Sequence, residues 1–318
     1  MTEPTADLAL RRFGQTELLV TPLCLGCAPL ASMPEVFYPV PEEQAFAVLR
    51  SFFDSPLNFL DTAAAYGDGE SERRIGVVLR ERGGLPAGAV LATKADRDLR
   101  TGDFSGEQTQ RSIERSLRLL GVEQLDVVYL HDPEHAATTF EDLLAPSGAV
   151  DVLHRYKQSG VIGAVGLAGG PVDLMLRYVE TGAFDALITH NRFTLLNRAA
   201  APLIEQAWQR GMAVVNAAPY GGGILAKGPD ASGKYAYREA APEYVARVRR
   251  IDAICQEHHV PIAAAALQFS LRDPRITSTI VGMTQPERIA QTLDLARHPI
   301  PEQLWAQLDA AGFDTEDV

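Results

Sequence analysis

The chain has 318 residues, of which 46% are hydrophobic and 22% charged, so it can bury a large core and does not have the composition of a disordered protein. Its 29 basic and 41 acidic residues give a formal net charge of −12, which repels nucleic-acid phosphates and anionic membrane surfaces. Composition therefore argues against nucleic-acid and membrane partners.

Several features predict a cytoplasmic protein. The first 14 residues contain acids and no apolar core, unlike a secretory signal. No apolar run approaches the ~18 residues that a membrane-spanning helix needs. Three cysteines, Cys24, Cys27 and Cys255, are too few for a disulfide framework in a chain of this length. Whether the chain is a monomer or a homo-oligomer stays open.

Eight short apolar segments, taken in chain order, have the pattern of buried strands. They cover residues 19–25, 57–60, 89–92, 126–130, 161–166, 186–189, 213–216 and 279–281. Between them, apolar residues recur at helical spacing in residues 43–53, 107–120, 150–158, 174–179, 202–209 and Pro242–Glu257. Strict alternation of strand and helix implies parallel strands, and eight such units predict one (β/α)8 TIM barrel spanning residues 1–318.

The longest weakly periodic stretch, residues 219–242, is rich in glycine and proline and follows the seventh predicted strand. It is expected to be an extended loop over the mouth of the barrel, a candidate lid or clamp.

Polar residues at the carboxyl ends of barrel strands are the candidates for chemistry. The second, third and fourth predicted strands end at Asp61, Lys94 and His131, and Tyr66 lies five residues beyond Asp61. Each has an ordinary structural interpretation, since an Asp there can cap a turn, a Lys can be solvated and a His can be part of the core. Together they form a constellation in which Asp61 pairs with Lys94, and Lys94 lies beside the Tyr66 hydroxyl.

Proton transfer at a carbonyl or hydroxyl oxygen suits this arrangement. A free phenol has a pKa near ~10, so an ammonium beside Tyr66 is expected to bring it toward the working range. His131 can form a hydrogen bond with the same oxygen.

The residues around this constellation resemble the aldo-keto reductase family, whose motif is matched by Asn-Phe-Leu-Asp-Thr-Ala-Ala-Ala-Tyr-Gly at residues 58–67, followed by Ser71, Glu72 and Gly76. The resemblance covers nearly the whole chain, from a hairpin around residues 12–16 to Arg288. It implies an NAD(P)-dependent oxidoreductase with an N-terminal β-hairpin on the barrel. Tyr66 would be the general acid and base, Lys94 and Asp61 would tune it, and His131 would orient the substrate oxygen.

Within the family, the chain looks most like the sugar 1-dehydrogenases that act on L-fucose, L-galactose and D-threo-aldoses. The residues that carry this likeness are 131–133, 193–196 and 216–219. That branch oxidises the anomeric carbon of an aldose to a lactone. Hydroxyl-rich substrates need polar partners, and the loops offer Asp132, His135, Asn191 and Arg192. The alternatives are a general aldehyde or ketone reductase and a non-catalytic NAD(P)-binding regulatory subunit.

The chain departs from the family pattern where the nicotinamide is usually held. Ala168-Gly169 replaces a common Ser-Asn, His190 a common Gln, and Ala217 a stacking aromatic residue. Contacts with NAD or NADP are then implied for Gly26, Cys27, His190 and Tyr220, for Gly221, Gly223 and Leu225 in a diphosphate loop, and for Gly282, Met283, Thr284, Arg288, Gln291 and Thr292 at the adenosine end. Arg288 suits a 2′-phosphate, but Gly282 stands where NADP-preferring relatives carry Lys, so the coenzyme stays undetermined.

No metal is expected. Cys24 and Cys27 lack a second cysteine pair, and positions three apart on a strand point to opposite faces. His131 and His135 flank Pro133 on a loop, so they do not form a regular ligand pair.

Overall fold

The computed structural model describes residues 8–33, 38–228, 230, 233–236 and 238–318. Eight parallel strands close into a barrel in which chain neighbours are paired and the last strand pairs with the first. They are β3 (Leu23–Gly26), β4 (Phe59–Asp61), β5 (Val90–Ala95), β6 (Leu125–His131), β7 (Ile162–Ala168), β8 (Ala186–His190), β9 (Ala213–Ala217) and β12 (Ser278–Gly282). The prediction of a (β/α)8 barrel is confirmed.

The first predicted strand, residues 19–25, is wrong as one element. Leu19–Val20 (β2) pairs with Arg11–Arg12 (β1) in an antiparallel hairpin, and the barrel strand begins only at Leu23. Pro22 lies between the two and has no N–H to continue a ladder. The buried ring of Phe13 in this hairpin packs edge-on against Phe59, at 5.7 Å between centroids, so the hairpin covers the amino end of the barrel.

Helices follow the strands on the outside of the barrel. They are α1 (Glu42–Phe53), α2 (Glu70–Arg82), α3 (Gly106–Leu120), α4 (Phe140–Leu144), α5 (Ala149–Gln158), α6 (Val172–Glu180), α7 (Ala201–Gln209), α8 (Ile224–Lys227), α9 (Pro242–Glu257), α10 (Ile262–Leu271), α11 (Glu287–Arg297) and α12 (Glu302–Ala310). The six predicted helices are confirmed with ends shifted by at most two residues, whereas the predicted ranges did not include α2, α4, α8, α10, α11 and α12. Among the described residues, no helix combines the length and apolar character needed to cross a bilayer.

The predicted loop at residues 219–242 is partly regular. It holds a 3-10 turn at Gly221–Gly223, α8, and a short hairpin of Lys234–Tyr235 (β10) and Arg238–Glu239 (β11). Residues 229, 231, 232 and 237 of this stretch lie outside the described residues. The Tyr235 hydroxyl donates a hydrogen bond to the Asn191 carbonyl at 2.5 Å, which ties the hairpin to the loop after β8.

Candidate active site

The inward faces of three consecutive strands lead directly to the candidate site. Alternate side chains of a strand share a face, so Asp61 follows Phe59, Lys94 follows Ala92, and His131 follows Tyr129 on the inside of the barrel. The first member of each pair is buried in the barrel interior. The apolar interior therefore ends, at the carboxyl end of β4, β5 and β6, in a layer of ionisable groups.

Lys94 and Asp61 form a buried ion pair. The Lys94 Nζ lies 2.5 Å from Asp61 Oδ1 and donates a second hydrogen bond to the Thr62 carbonyl at 2.7 Å. Only 2% of the Lys94 surface and 3% of the Asp61 surface is exposed. Burial opposes the ammonium charge, but Asp61 and the Tyr66 hydroxyl outweigh it and raise the pKa of Lys94. Lys94 is therefore a cation at neutral pH.

Tyr66 lies on the turn that follows β4. The backbone N–H of Ala64 donates to the Lys94 carbonyl at 3.3 Å, and that of Ala65 donates to Asp96 Oδ2 at 2.7 Å. The turn places the Tyr66 ring 4.8 Å from Lys94 Nζ, measured to the ring centroid. Burial raises the pKa of the Tyr66 hydroxyl above its ordinary value, and Lys94 only partly opposes it. The expected net lowering of this pKa is therefore not what this structure shows.

His131 is held between two carboxylates. Its Nδ1 lies 2.6 Å from Asp96 Oδ1, and its Nε2 lies 3.5 Å from Asp132 Oδ1. Its ring meets the Tyr66 ring edge-on, with centroids 5.8 Å apart. Burial favours the neutral imidazole, but Asp132 and Asp96 outweigh it and raise the pKa of His131. Asp132 itself has the left-handed backbone conformation, with φ of 44°, at which a non-glycine residue is strained.

One cavity of about 940 Å³ opens at this end of the barrel, near the upper end of the size range of small-molecule sites. The four candidate catalytic residues, Asp61, Tyr66, Lys94 and His131, all line it. Most of the expected cofactor and substrate residues line it as well, namely Gly26, Asp132, His190, Tyr220, Gly223, Gly282, Met283, Thr284, Arg288, Gln291 and Thr292. Burial lowers the pKa of His190 to about 4, so this ring is neutral.

Six expected site residues do not line the cavity, and one of them, His135, is exposed. Cys27, Gly221 and Leu225 are buried beside it. Asn191 turns its side-chain amide toward His190 Nδ1 at 3.2 Å. Arg192 forms an ion pair with Asp317 and donates to the Val318 carbonyl. Neither Asn191 nor Arg192 is therefore proposed as a direct substrate contact.

Sequence reasoning missed several cavity residues. Asp96 follows Lys94 on the inward face, and the two-residue period of a strand could have found it. Lys227 and Lys234 also line the cavity, together with Arg288. Lys227 and Lys234 belong to segments whose position depends on how residues 219–242 fold, so no local pattern could have placed these two lysines.

The cysteines and histidines show no arrangement for a metal. Cys24, Cys27 and Cys255 are free and buried. Cys24 faces the barrel interior, whereas Cys27 packs in the layer between strands and helices. Within the described ranges of the chain, no three His, Cys, Asp or Glu side chains are grouped as metal ligands.

Comparisons with known proteins give a consistent result. The model of the Aldo/keto reductase family matches residues 22–312. The chain is 31% identical to a pyridoxal 4-dehydrogenase of Microbacterium luteolum, over 95% of this chain and 97% of that protein. It is 32% identical to a D-threo-aldose 1-dehydrogenase of a Pseudomonas species (98% and 97% covered), and 28% identical to an L-galactose dehydrogenase of Arabidopsis thaliana (98% and 92%). The holo form of an aldo-keto reductase from Bacillus halodurans has the same fold, with a TM-score of 0.77 at 20% identity and 98% of each chain covered.

Proposed function

This chain belongs to the aldo/keto reductase family, and on that premise we propose that it oxidises an aldose at C1 to the lactone, with NAD or NADP as hydride acceptor and Tyr66 as general base. The resemblance to the family and to its sugar dehydrogenases, expected from the sequence, is confirmed by the matches. The observation that carries the proposal is the meeting of Asp61, Tyr66, Lys94 and His131 on one wall of a single cavity.

The residues of the cavity fit a dinucleotide. Gly222 and Gly223 line it with φ of 80° and 106°, a conformation that glycine adopts without strain and that lets a phosphate approach the backbone closely. Lys227, Lys234 and Arg288 place three cations on its wall, although the chain as a whole carries a net charge of −12. These cations complement the phosphates of NAD or NADP.

Three groups of residues would hold the dinucleotide. Gly222, Gly223 and Lys227 would bind the diphosphate. Thr284, Arg288, Gln291 and Thr292 would bind the adenosine end, and His190 and Tyr220 would lie toward the nicotinamide. When bound, the oxidised nicotinamide supplies the acceptor for a hydride.

The chain's own residues then move the proton. In the oxidation of an aldose, the C1 hydroxyl gives its proton to the Tyr66 oxygen while the C1–H bond breaks and its hydrogen leaves with both electrons. The C1–O bond becomes the carbonyl of the lactone. Lys94 stabilises the Tyr66 phenolate that must accept the proton, and Asp61 balances the Lys94 charge in the buried site. His131, protonated on both ring nitrogens, would donate a hydrogen bond from Nε2 to the same oxygen, because the Tyr66 oxygen takes the only proton of the C1 hydroxyl.

A sugar substrate is supported by the cavity and by two relatives. Asp132 and Arg97 line the cavity and can bind sugar hydroxyls. Two of the similar proteins are named for oxidation of D-threo-aldoses and L-galactose. A second candidate is a hydroxylated aromatic aldehyde of the pyridoxal type. It is favoured by the similarity to a pyridoxal 4-dehydrogenase and by the apolar side chains of Leu99 and Ile188, which line the same cavity.

A substrate screen tests the proposal. The protein is mixed with NAD or NADP and with L-fucose, L-galactose, D-arabinose or pyridoxal, and the absorbance of the reduced nicotinamide is followed. We expect reduction with at least one aldose and detection of the corresponding lactone. The methyl glycoside of that aldose is the matched control, because it lacks the free C1 hydroxyl and must be inert. Turnover of pyridoxal alone would favour the second candidate, and turnover of the methyl glycoside would contradict oxidation at C1.

A further inference from the structure

The carboxylate of Asp96 contacts two parts of the proton-transfer site at once. Only 3% of its surface is exposed. Its Oδ1 lies 2.6 Å from His131 Nδ1, and its Oδ2 accepts the backbone N–H of Ala65 at 2.7 Å, next to Tyr66. The backbone N–H of Asp96 donates to Ser112 Oγ at 3.0 Å, which ties the residue to α3. One carboxylate therefore joins the imidazole to the turn that carries the tyrosine.

This contact determines which nitrogen of His131 carries a proton. A carboxylate offers only acceptor oxygens, so the short contact with Asp96 requires a proton on Nδ1. The nitrogen left for the cavity is Nε2, which lies 3.5 Å from Asp132 Oδ1. Nε2 is thus the atom of His131 that faces the substrate: it is bare in the neutral ring, and on protonation of the ring it gains the N–H that can donate to a substrate oxygen.

We propose that Asp96 is a positioning residue of the proton-transfer site, which holds His131 with its proton on Nδ1 and so presents Nε2 to the substrate oxygen. The part of this inference that concerns catalysis rests on the proposed function. The part that concerns the tautomer of His131 does not, because it follows from the contacts of the protein alone.

An asparagine at position 96 could not do the same. Both neighbours of the carboxylate are donors, namely the Ala65 N–H and the His131 Nδ1–H, and an amide has only one acceptor oxygen. The peptide N–H can only donate, so it would take the amide oxygen. The amide nitrogen would then donate to a bare Nδ1, and the proton of His131 would move to Nε2.

The charge of Asp96 also affects the pKa of His131. The ionisable groups that face the ring from β4, β5, β6, β8 and the connecting turns are Asp61, Tyr66, Lys94, Asp96, Asp132 and His190. Among them, Asp96 is the carboxylate in hydrogen-bonding contact with the ring. Its replacement by Asn removes a negative charge at 2.6 Å, which must lower the pKa of His131.

The first test is spectroscopic and needs no substrate. The full-length protein is labelled with ¹⁵N-histidine and titrated from about pH 5 to about pH 10, the range across which histidine ionises, and the His131→Asn variant identifies the signals of this ring. In the wild type we expect the neutral ring to carry its proton on Nδ1. In Asp96→Asn we expect the proton on Nε2 and a lower pKa. A wild-type ring protonated on Nε2 when neutral overturns the proposal.

The second test is kinetic. We expect Asp96→Asn to lower kcat by about 10- to 100-fold, the loss typical when the partner that orients a histidine is removed, with KM and dinucleotide affinity within about twofold. In a His131→Asn background, Asp96→Asn should cause no further loss, because the residue acts through His131. Asp98→Asn is the matched control and should leave kcat unchanged. The Oδ1 of this partly exposed carboxylate accepts the backbone N–H groups of Arg100 and Thr101, and the amide oxygen of Asn can accept both in its place.

The two tests separate the claims. If the kcat losses of Asp96→Asn and His131→Asn multiply in the double variant, Asp96 acts through folding or through Tyr66. That result contradicts the proposal. If no aldose is oxidised but the tautomer switches as expected, the proposed function fails while the positioning role of Asp96 stands. If turnover is found but the tautomer is the same in both proteins, the role of Asp96 fails and the function stands.

Discussion

Replacement of Asp61 by Asn tests whether the site depends on a buried charge pair. The change preserves the size of the side chain and leaves one oxygen that can accept the Lys94 hydrogen bond of 2.5 Å. It removes the negative charge, so the ammonium is left with neutral partners, which include the Thr62 carbonyl and the Tyr66 hydroxyl. Removing one member of a buried pair costs about 3–5 kcal/mol, and the retained hydrogen bond places this case near 3 kcal/mol.

Thermal and urea unfolding measure this loss. A fall of about 3 kcal/mol corresponds to a decrease in Tm of roughly 4–5 °C for a chain of this length, from the usual unfolding entropy per residue. Neutralising both partners, as in Asp61→Asn with Lys94→Met, should recover part of the stability, because no isolated charge is left buried. Asp54→Asn is the control, since Asp54 pairs with Arg82 at the surface and is 66% exposed, and it should cost less than about 1 kcal/mol.

The effect also has a definite pH dependence. The folded-state pKa of Lys94 is raised, so the stabilisation by its pairing is fully present below the unfolded pKa of about 10.4 and is lost as the pH rises through the folded pKa. The difference between wild type and Asp61→Asn should therefore be largest at neutral pH and shrink above about pH 10.4. An Asp61→Asn protein as stable as wild type at pH 7 would refute the view that the pair is buried and charged.

Two further predictions concern the packing of the barrel and the base itself. Gly76→Ala should destabilise the protein by about 1–3 kcal/mol, because a Cβ there would lie 2.0 Å from the Leu119 carbonyl oxygen. Gly233→Ala is the control, since its Cβ would meet nothing within 4 Å and the urea midpoint should change little. Equal urea midpoints for the two variants would contradict the account. Because the pKa of Tyr66 is raised, log(kcat/KM) for aldose oxidation should keep rising with pH beyond about 10, whereas a plateau near pH 7 would assign the base to another group.

Local patterns in the sequence were sufficient for the barrel and its catalytic layer. Strand and helix alternate with short connections, and polar residues after apolar runs lie at the carboxyl ends of parallel strands. Asp61, Lys94 and His131 were found in this way. The break at Pro22 was missed because residues 19–25 are apolar except for Thr21, although proline has no N–H for the ladder.

The remaining differences have long-range causes. Arg192 was expected to face a substrate, but its partners Asp317 and Val318 are more than 120 residues away in the chain. Lys227 and Lys234 reach the cavity because α8 packs against Leu195 and Leu196, and the hairpin of β10 and β11 is hydrogen-bonded to Asn191, in the loop after β8. Neither contact is encoded in a short motif, so both required the three-dimensional structure.

The Tyr66→Phe substitution tests the central claim most directly, with turnover and dinucleotide affinity measured on the same preparation. The ring that lies beside Lys94 and His131 remains, and only the oxygen that exchanges the proton is lost. The account predicts a fall in kcat of at least about 10²-fold, the smaller end of the range for a general acid or base, with the Kd for NAD or NADP within about twofold of wild type. A variant that retains turnover, or one whose dinucleotide affinity falls as much as its rate, would contradict the assignment of Tyr66 as the proton-transfer residue.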